Sequence, residues 1–193
     1  MFYIIKVKAY IICNFEPMNN TLFQLTVIKN NSDYEDVAFK SDLLNLNYKF
    51  ASAFYIHHPE LQRFLRFPDD EQESANKRIV FRHFLSLVLS KLILLKRDHD
   101  FYFPIDMDED FTSLIKCSLD ADEQLHIQFG VIDKVGIGIN VTTLELIGEV
   151  PKAFIPQTAN VECEKEELVL AISENLLHLN YEAVSFTTKL NSN

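Results

Sequence analysis

Residues 74–97, SANKRIVFRHFLSLVLSKLILLKR, carry the strongest structural signal in the chain. Ile79, Val80, Phe81, Phe84, Leu85, Leu87, Val88, Leu89, Leu92, Ile93, Leu94 and Leu95 cover most of a helical circumference. A helix that is apolar nearly all round is buried. Arg82, Ser86 and Ser90 recur every four residues and leave one narrow polar stripe. The apolar run from Ile79 to Leu95 is interrupted by Arg82, His83 and Lys91 and is short for a bilayer. It is expected to be a core helix, with a sheet packed against it.

Strand signals flank this helix on both sides. Residues 2–13 and 21–29 are rich in Ile, Val, Phe, Tyr and Thr, and Glu16-Pro17-Met18-Asn19-Asn20 lies between them. That pattern predicts an antiparallel hairpin with both strands well inside a sheet. Ser41-Asp42 then resembles a helix start, followed by Leu43, Leu46, Phe50 and Phe54 at helical spacing. A second start is expected at His58-Pro59-Glu60, with Leu61, Phe64 and Leu65 on one face. Residues 69–77 read as an exposed polar connector.

Beyond the helix, Asp98-His99-Asp100 is a break and Phe101–Ile105 a short strand. Ile115, Cys117 and Leu119 alternate with Lys116 and Ser118, and Leu125, Ile127, Phe129 and Val131 alternate with His126, Gln128 and Gly130. These segments, 113–119 and 125–132, predict a second hairpin closed by Asp120-Ala-Asp-Glu-Gln124. Val135, Ile137, Ile139 and Val141 predict one more strand. A C-terminal helix is expected over about 164–179, with Glu164, Glu166 and Glu167 at its dipole-positive end and Val169, Ile172, Leu176 and Leu179 buried. A last strand is expected over Ala183–Lys189. The class is α+β: an antiparallel or mixed sheet packed against a buried central helix (about 74–97) and the C-terminal helix.

The length of 193 residues is that of one domain spanning 1–193. A chain of this size buries roughly 70% of its unfolded surface and needs no disulfide or metal to fold. Cys13, Cys117 and Cys163 are odd in number and far apart. Lys6 and Lys8 interrupt the first apolar run, so no secretory leader is expected there. Free thiols without a leader fit a reducing, cytoplasmic compartment.

Familiar chemical motifs are missing or incomplete. Asp106-Met-Asp-Glu-Asp110 begins like a calcium loop, but Phe111 and Cys117 stand where that loop needs Gly and Glu. His57-His58-Pro59 and Asp98-His99-Asp100 place ligand-type residues side by side, where their side chains diverge, and no H-E-x-x-H occurs. Gly136-Ile-Gly138-Ile-Asn140 lacks the third glycine and the strand-to-helix context of a dinucleotide site, and small residues on one strand face usually serve packing. There is no G-x-S-x-G. A carboxylate-and-lysine pattern of nuclease type on Asp69, Asp70, Glu73 and Lys77 is no more than chance provides. No cofactor and no metal are implied.

Charge gives the functional expectation. Residues 1–100 hold 13 Lys/Arg and 12 Asp/Glu, whereas residues 101–193 hold 5 and 16, and the whole chain is at −10. Such a field repels nucleic acid and anionic membrane and draws basic partners. The expected function is that of an acidic interaction domain, in its concrete form an inhibitor or immunity protein that neutralises a basic toxin. Its expected patch is Asp106, Asp108, Glu109, Asp110, Asp120, Asp122 and Glu123. A competing expectation is a small enzyme or ligand-binding domain with a polar pocket near the central helix, formed by Arg82, Ser86, Ser90 and His99. A third is a structural subunit of a larger assembly. The absence of catalytic motifs weighs against an enzyme, and composition sets no oligomeric state.

Overall fold

The computed structural model describes residues 21–28, 35–52, 73–107, 111–133, 138–140 and 143–190. The expected strand over 2–13, the helix start at His58, the part of the expected third strand over 134–137, and Cys13, His57 and Gly136 lie outside the described residues.

The α+β class holds, built from antiparallel sheets and two long helices. A first sheet has the order β1–β2–β3, from Gln24–Val27, Val37–Ser41 and Leu46–Phe50. Ser41-Asp42 does not open a helix. Residues 42–45 form a tight turn in which Asn45 takes a positive φ of 53°, and Leu46 and Phe50 lie on a strand. The apolar spacing of Leu43, Leu46 and Phe50 fits a helix, but Val37, Phe39 and Ser41 point alternately inward on β2 and impose period two on the neighbouring strand. Among the described residues β1 pairs with β2 alone, and its expected partner over 2–13 lies outside the described residues.

Helix α1 spans Glu73–Ile93. Val80, Phe81, Phe84, Leu85, Val88 and Leu92 are buried, as a core helix requires, while Ile93 and Leu94 are exposed at its end. The expected exposed connector over 69–77 is corrected here. Residues 73–77 belong to the helix, and Lys77 falls on the buried stripe one turn before Phe81.

The larger sheet has the order β10–β6–β5–β4, from Val161–Cys163, Leu125–Asp133, Phe111–Leu119 and Phe101–Met107, and the short β9, Ile155–Pro156, pairs with β6 farther along. The predicted hairpin is present with the register Cys117↔Ile127 and Ile115↔Phe129. Phe101, Phe103, Ile115, Cys117, Ile127 and Phe129 share the core face. Phe103 meets Phe23 of the first sheet at 6.3 Å between ring centres, and Phe129 meets Tyr48 of β3 at 6.2 Å. The Tyr48 hydroxyl donates to Asp106 at 2.5 Å and ties the two sheets together.

The other face of this sheet is half covered. A ribbon of β7 (Gly138–Asn140) and β8 (Glu145–Ile147) leads into the one-turn helix α2, Val150–Ala153. The segment brings Phe154 onto Tyr102, 5.5 Å between ring centres. Gly130 makes this approach possible, since a Cβ there would stand 2.4 Å from the Phe154 ring and 2.6 Å from the Ile155 carbonyl oxygen.

Helix α3 spans Lys165–Leu190. Residues 183–189 are therefore helical, which corrects the expected last strand. Val184 and Phe186 suit either state, and the segment continues an already nucleated helix without a breaker, where each added residue gains a hydrogen bond at little cost. The Lys165 ammonium donates to the carbonyls of Ile93 (2.9 Å) and Leu95 (3.3 Å), satisfying groups that the end of α1 leaves without helical partners.

Candidate functional site: the groove between the β1 edge and helix α3

One stripe of α3 positions the site. Leu168, Ile172 and Leu179 are buried at helical spacing, and Asn175 sits among them with only 8% of its surface exposed. A buried amide needs partners. Asn175 finds them on the outer edge of β1, where its Oδ1 accepts the Leu25 N–H at 2.8 Å and its Nδ2 donates to the Phe23 carbonyl at 2.8 Å. Nδ2 also donates to Ala171 at 2.9 Å. The side chain thus imitates the two hydrogen bonds of a pairing strand and fastens α3 beside the first sheet.

Between the strand edge and the helix runs an open groove of about 930 Å³. Phe23, just before β1, and Leu25 and Val27 of β1 line one side, Leu170, Ala171 and Leu179 of α3 the other. Its carboxylates are Asp42, Glu162, Glu167 and Glu174, and no lysine or arginine is among its lining residues. Asp42 is already engaged: it accepts the Thr21 N–H at 2.7 Å and pairs with Lys40 at 3.0 Å, which together hold its carboxyl below the usual range. Glu162, Glu167 and Glu174 are exposed. Cys163 also lines the groove, but burial, with Glu167 and Glu164 adding to it, pushes its thiol up to about 11. Burial pushes Cys117 still higher. Neither thiol has the lowered pKa of a reactive nucleophile.

The described members of the expected acidic patch stand apart, Asp106 near the end of β4 and Asp120, Asp122 and Glu123 on the turn between β5 and β6. Asp106 is bound to Tyr48, and Asp108, Glu109 and Asp110 lie outside the described residues. Asp120 is a turn-former: its Oδ1 accepts the N–H groups of Asp122 and Gln124, both at 2.9 Å, and its Oδ2 meets His126 Nε2 at 3.0 Å. The His126 bond comes first in holding the Asp120 carboxyl low. Glu123 pairs with Arg97 at 2.9 Å, and Asp122 is exposed on the same turn.

Arg82, Ser86 and Ser90 stand on the exposed face of α1, and each serine hydroxyl donates to the carbonyl four residues before it at 2.8 Å. His99 lies on the loop after α1 with Nδ1 3.1 Å from the Arg97 carbonyl, while Asp100 turns to Tyr102 and Lys116. None of these residues lines the groove. His83 is half-buried, and burial lowers its pKa.

A second polar cluster escaped the sequence. Asp36, fully buried, pairs with Lys77 at 2.5 Å, accepts the Ser52 N–H at 2.7 Å, and takes the Ser52 hydroxyl as a further donor. It joins the start of β2, the end of β3 and the first turns of α1. Its sequence signal is Lys77 at the i−4 position of the apolar stripe, as Asn175 was signalled by its place between Ile172 and Leu179. Among the described residues no group of three or more His, Cys, Asp or Glu side chains could hold a metal ion, and no helix is long and apolar enough to cross a membrane. Compared with models of protein families, with curated proteins and with solved structures, the chain matches none of them.

Proposed function

We propose that this chain is an interaction domain whose acidic second half holds a basic protein. One observation supports this most directly. Glu162, Glu164, Glu166, Glu167 and Glu174 stand exposed together on β10 and the first three turns of α3. The described cationic side chains of the second half are engaged elsewhere: Lys116 with Asp100, Lys152 with Glu149, and Lys165 with the end of α1. Glu162 lies 3.9 Å from His126 Nδ1, whereas no ion pair among the described residues engages Glu164, Glu166, Glu167 or Glu174. Such a surface speeds encounter with a basic partner and discriminates against acidic ones. An inhibitor or immunity protein of a basic toxin, working in the cytoplasm, is the concrete form.

The test uses the basic protein that copurifies with the tagged chain at low salt. Its affinity is expected to fall steeply between about 50 and 200 mM salt, as surface electrostatics are screened. Joint substitution of Glu166→Lys, Glu167→Lys and Glu174→Lys is expected to weaken binding more than tenfold. Affinity unchanged by both salt and charge reversal defeats the proposal.

A further inference from the structure

The groove also indicates how a partner engages it. Backbone groups alternate along a strand. Ile28 N–H points to β2, donating to the Asp36 carbonyl at 2.7 Å, and Leu25 N–H points the opposite way, to Asn175. Val27 N–H and Leu25 C=O must therefore face the groove alongside the two groups that Asn175 has taken. Asn175 reaches the Phe23 carbonyl and the Leu25 N–H and no farther along β1. Among the described residues nothing pairs with the rest of this outer edge, which makes it a short template for another strand.

Charge selects what that strand can be. Glu162, Glu167 and Glu174 border the groove together with His178, and no lysine or arginine is among its described lining residues. Two copies of this chain would oppose these glutamates to one another, so the walls disfavour self-pairing. A segment with lysine or arginine on alternate residues meets the glutamates with one row of side chains. The same row passes Leu170, which shares that face of α3, and the other row points to the opposite face of the added strand.

We propose, resting on the interaction-domain reading above, that an extended basic segment of the partner protein adds as a strand along the outer edge of β1. The segment hydrogen-bonds to Leu25 C=O and Val27 N–H and places its cations against Glu167 and Glu174. Asn175 marks where this added strand must end.

The full chain and a fluorescein-labelled decapeptide of alternating lysine and valine test this by fluorescence anisotropy at low salt. A second peptide carries N-methyl groups on every other backbone amide, which preserves its charge and removes its hydrogen-bonding edge. The expected result is at least tenfold weaker binding of the methylated peptide. Val27→Pro, which deletes a groove-facing N–H and spares the bonds to β2, is expected to weaken the unmethylated peptide by a similar factor. Equal binding of the two peptides overturns strand addition and leaves the acidic-acceptor reading standing. Binding of neither overturns both. Hydrogen exchange at the Val27 amide is an independent measure, expected fast in the free chain and slowed by the peptide. Slow exchange in the free monomer gives the edge to residues of the same chain, and slow exchange in a self-associated dimer gives it to a second copy. Either outcome overturns the proposal.

Discussion

Replacing Asn175 by alanine tests whether one amide fastens α3 to the first sheet. The substitution removes three hydrogen bonds, two of them to β1. The Leu25 N–H and Phe23 C=O then lose their partners beside a helix that still shields them. A buried backbone group left without a partner costs about 1–3 kcal/mol, and the open side of the groove admits some water, so the pair should cost about 2–4 kcal/mol. Alanine recovers about 0.5 kcal/mol as a better helix former than asparagine. The net expectation is about 2–3 kcal/mol, read as a lower urea midpoint with an unchanged m-value.

Asn175→Asp sharpens the measurement, because it keeps the shape. Its carboxylate still accepts from Leu25 N–H but turns an oxygen toward the Phe23 carbonyl oxygen. At neutral pH it should be no more stable than the alanine variant. Protonated, the acid can donate to Phe23, so its folded-state pKa lies above the unfolded value. The stability so gained is present below the unfolded pKa and is lost as pH rises through the folded one. An alanine variant within about 0.5 kcal/mol of the parent, the range of ordinary surface substitutions, refutes the role given to Asn175.

Four further outcomes are expected. Lys77→Met strands the Asp36 carboxylate in the core and should cost about 3–5 kcal/mol; adding Asp36→Asn should recover most of it, and strictly additive costs in a double-mutant cycle would deny the coupling. Gly130→Ala forces a methyl into the Phe154 ring and the Ile155 carbonyl and should cost about 1–3 kcal/mol, an effect that an unshifted thermal midpoint would contradict. Glu123→Gly relieves a φ of 66° at the cost of an exposed pair with Arg97, so the melting temperature should rise by an amount worth up to about 1 kcal/mol; a fall would mean that the ion pair outweighs the strain. The Cys163 thiol is raised from 9.0 to about 11, so its stabilisation is complete below the unfolded pKa and is lost as pH rises through about 11. Urea midpoints followed from pH 8 to pH 11 should fall less steeply in Cys163→Ala, and parallel slopes would exclude this linkage.

The parts of the fold legible in the sequence are those where one period dominates. The α1 run is apolar over more than four turns, and no other structure hides so much surface. The 113–119 and 125–132 segments alternate cleanly because one face meets the core and the polar half of the other meets water. Residues 41–50 misled because Leu43, Leu46 and Phe50 satisfy helical spacing, while the pairing of β3 with β2 spans residues whose partners local pattern cannot supply. The 183–189 segment misled because β-branched and aromatic residues carry a weak propensity that an established helix overrides. The acidity of the second half was legible as a total but not as a surface. Asp106, Asp120 and Glu123 are each consumed by contacts with Tyr48, His126 and Arg97, two of which are more than twenty residues away in sequence.

The arrangement at β1 argues for a use beyond packing. A strand edge that served only the fold would be safest covered along its length or guarded by inward-facing charge. Among the described residues a single amide covers two backbone groups of the outer edge, and the edge continues past it. The charges stand on the opposite wall, from which, on the proposal above, they leave room for a strand and select its sign. Glutamates placed there for solubility alone could sit anywhere on α3. Glu167 and Glu174 instead face the groove one side of the helix apart by seven residues, two turns, on the same face as Leu170 and Asn175. Backbone edge, apolar floor and carboxylate rim thus share one direction, the arrangement that the proposed recognition of an extended basic segment requires.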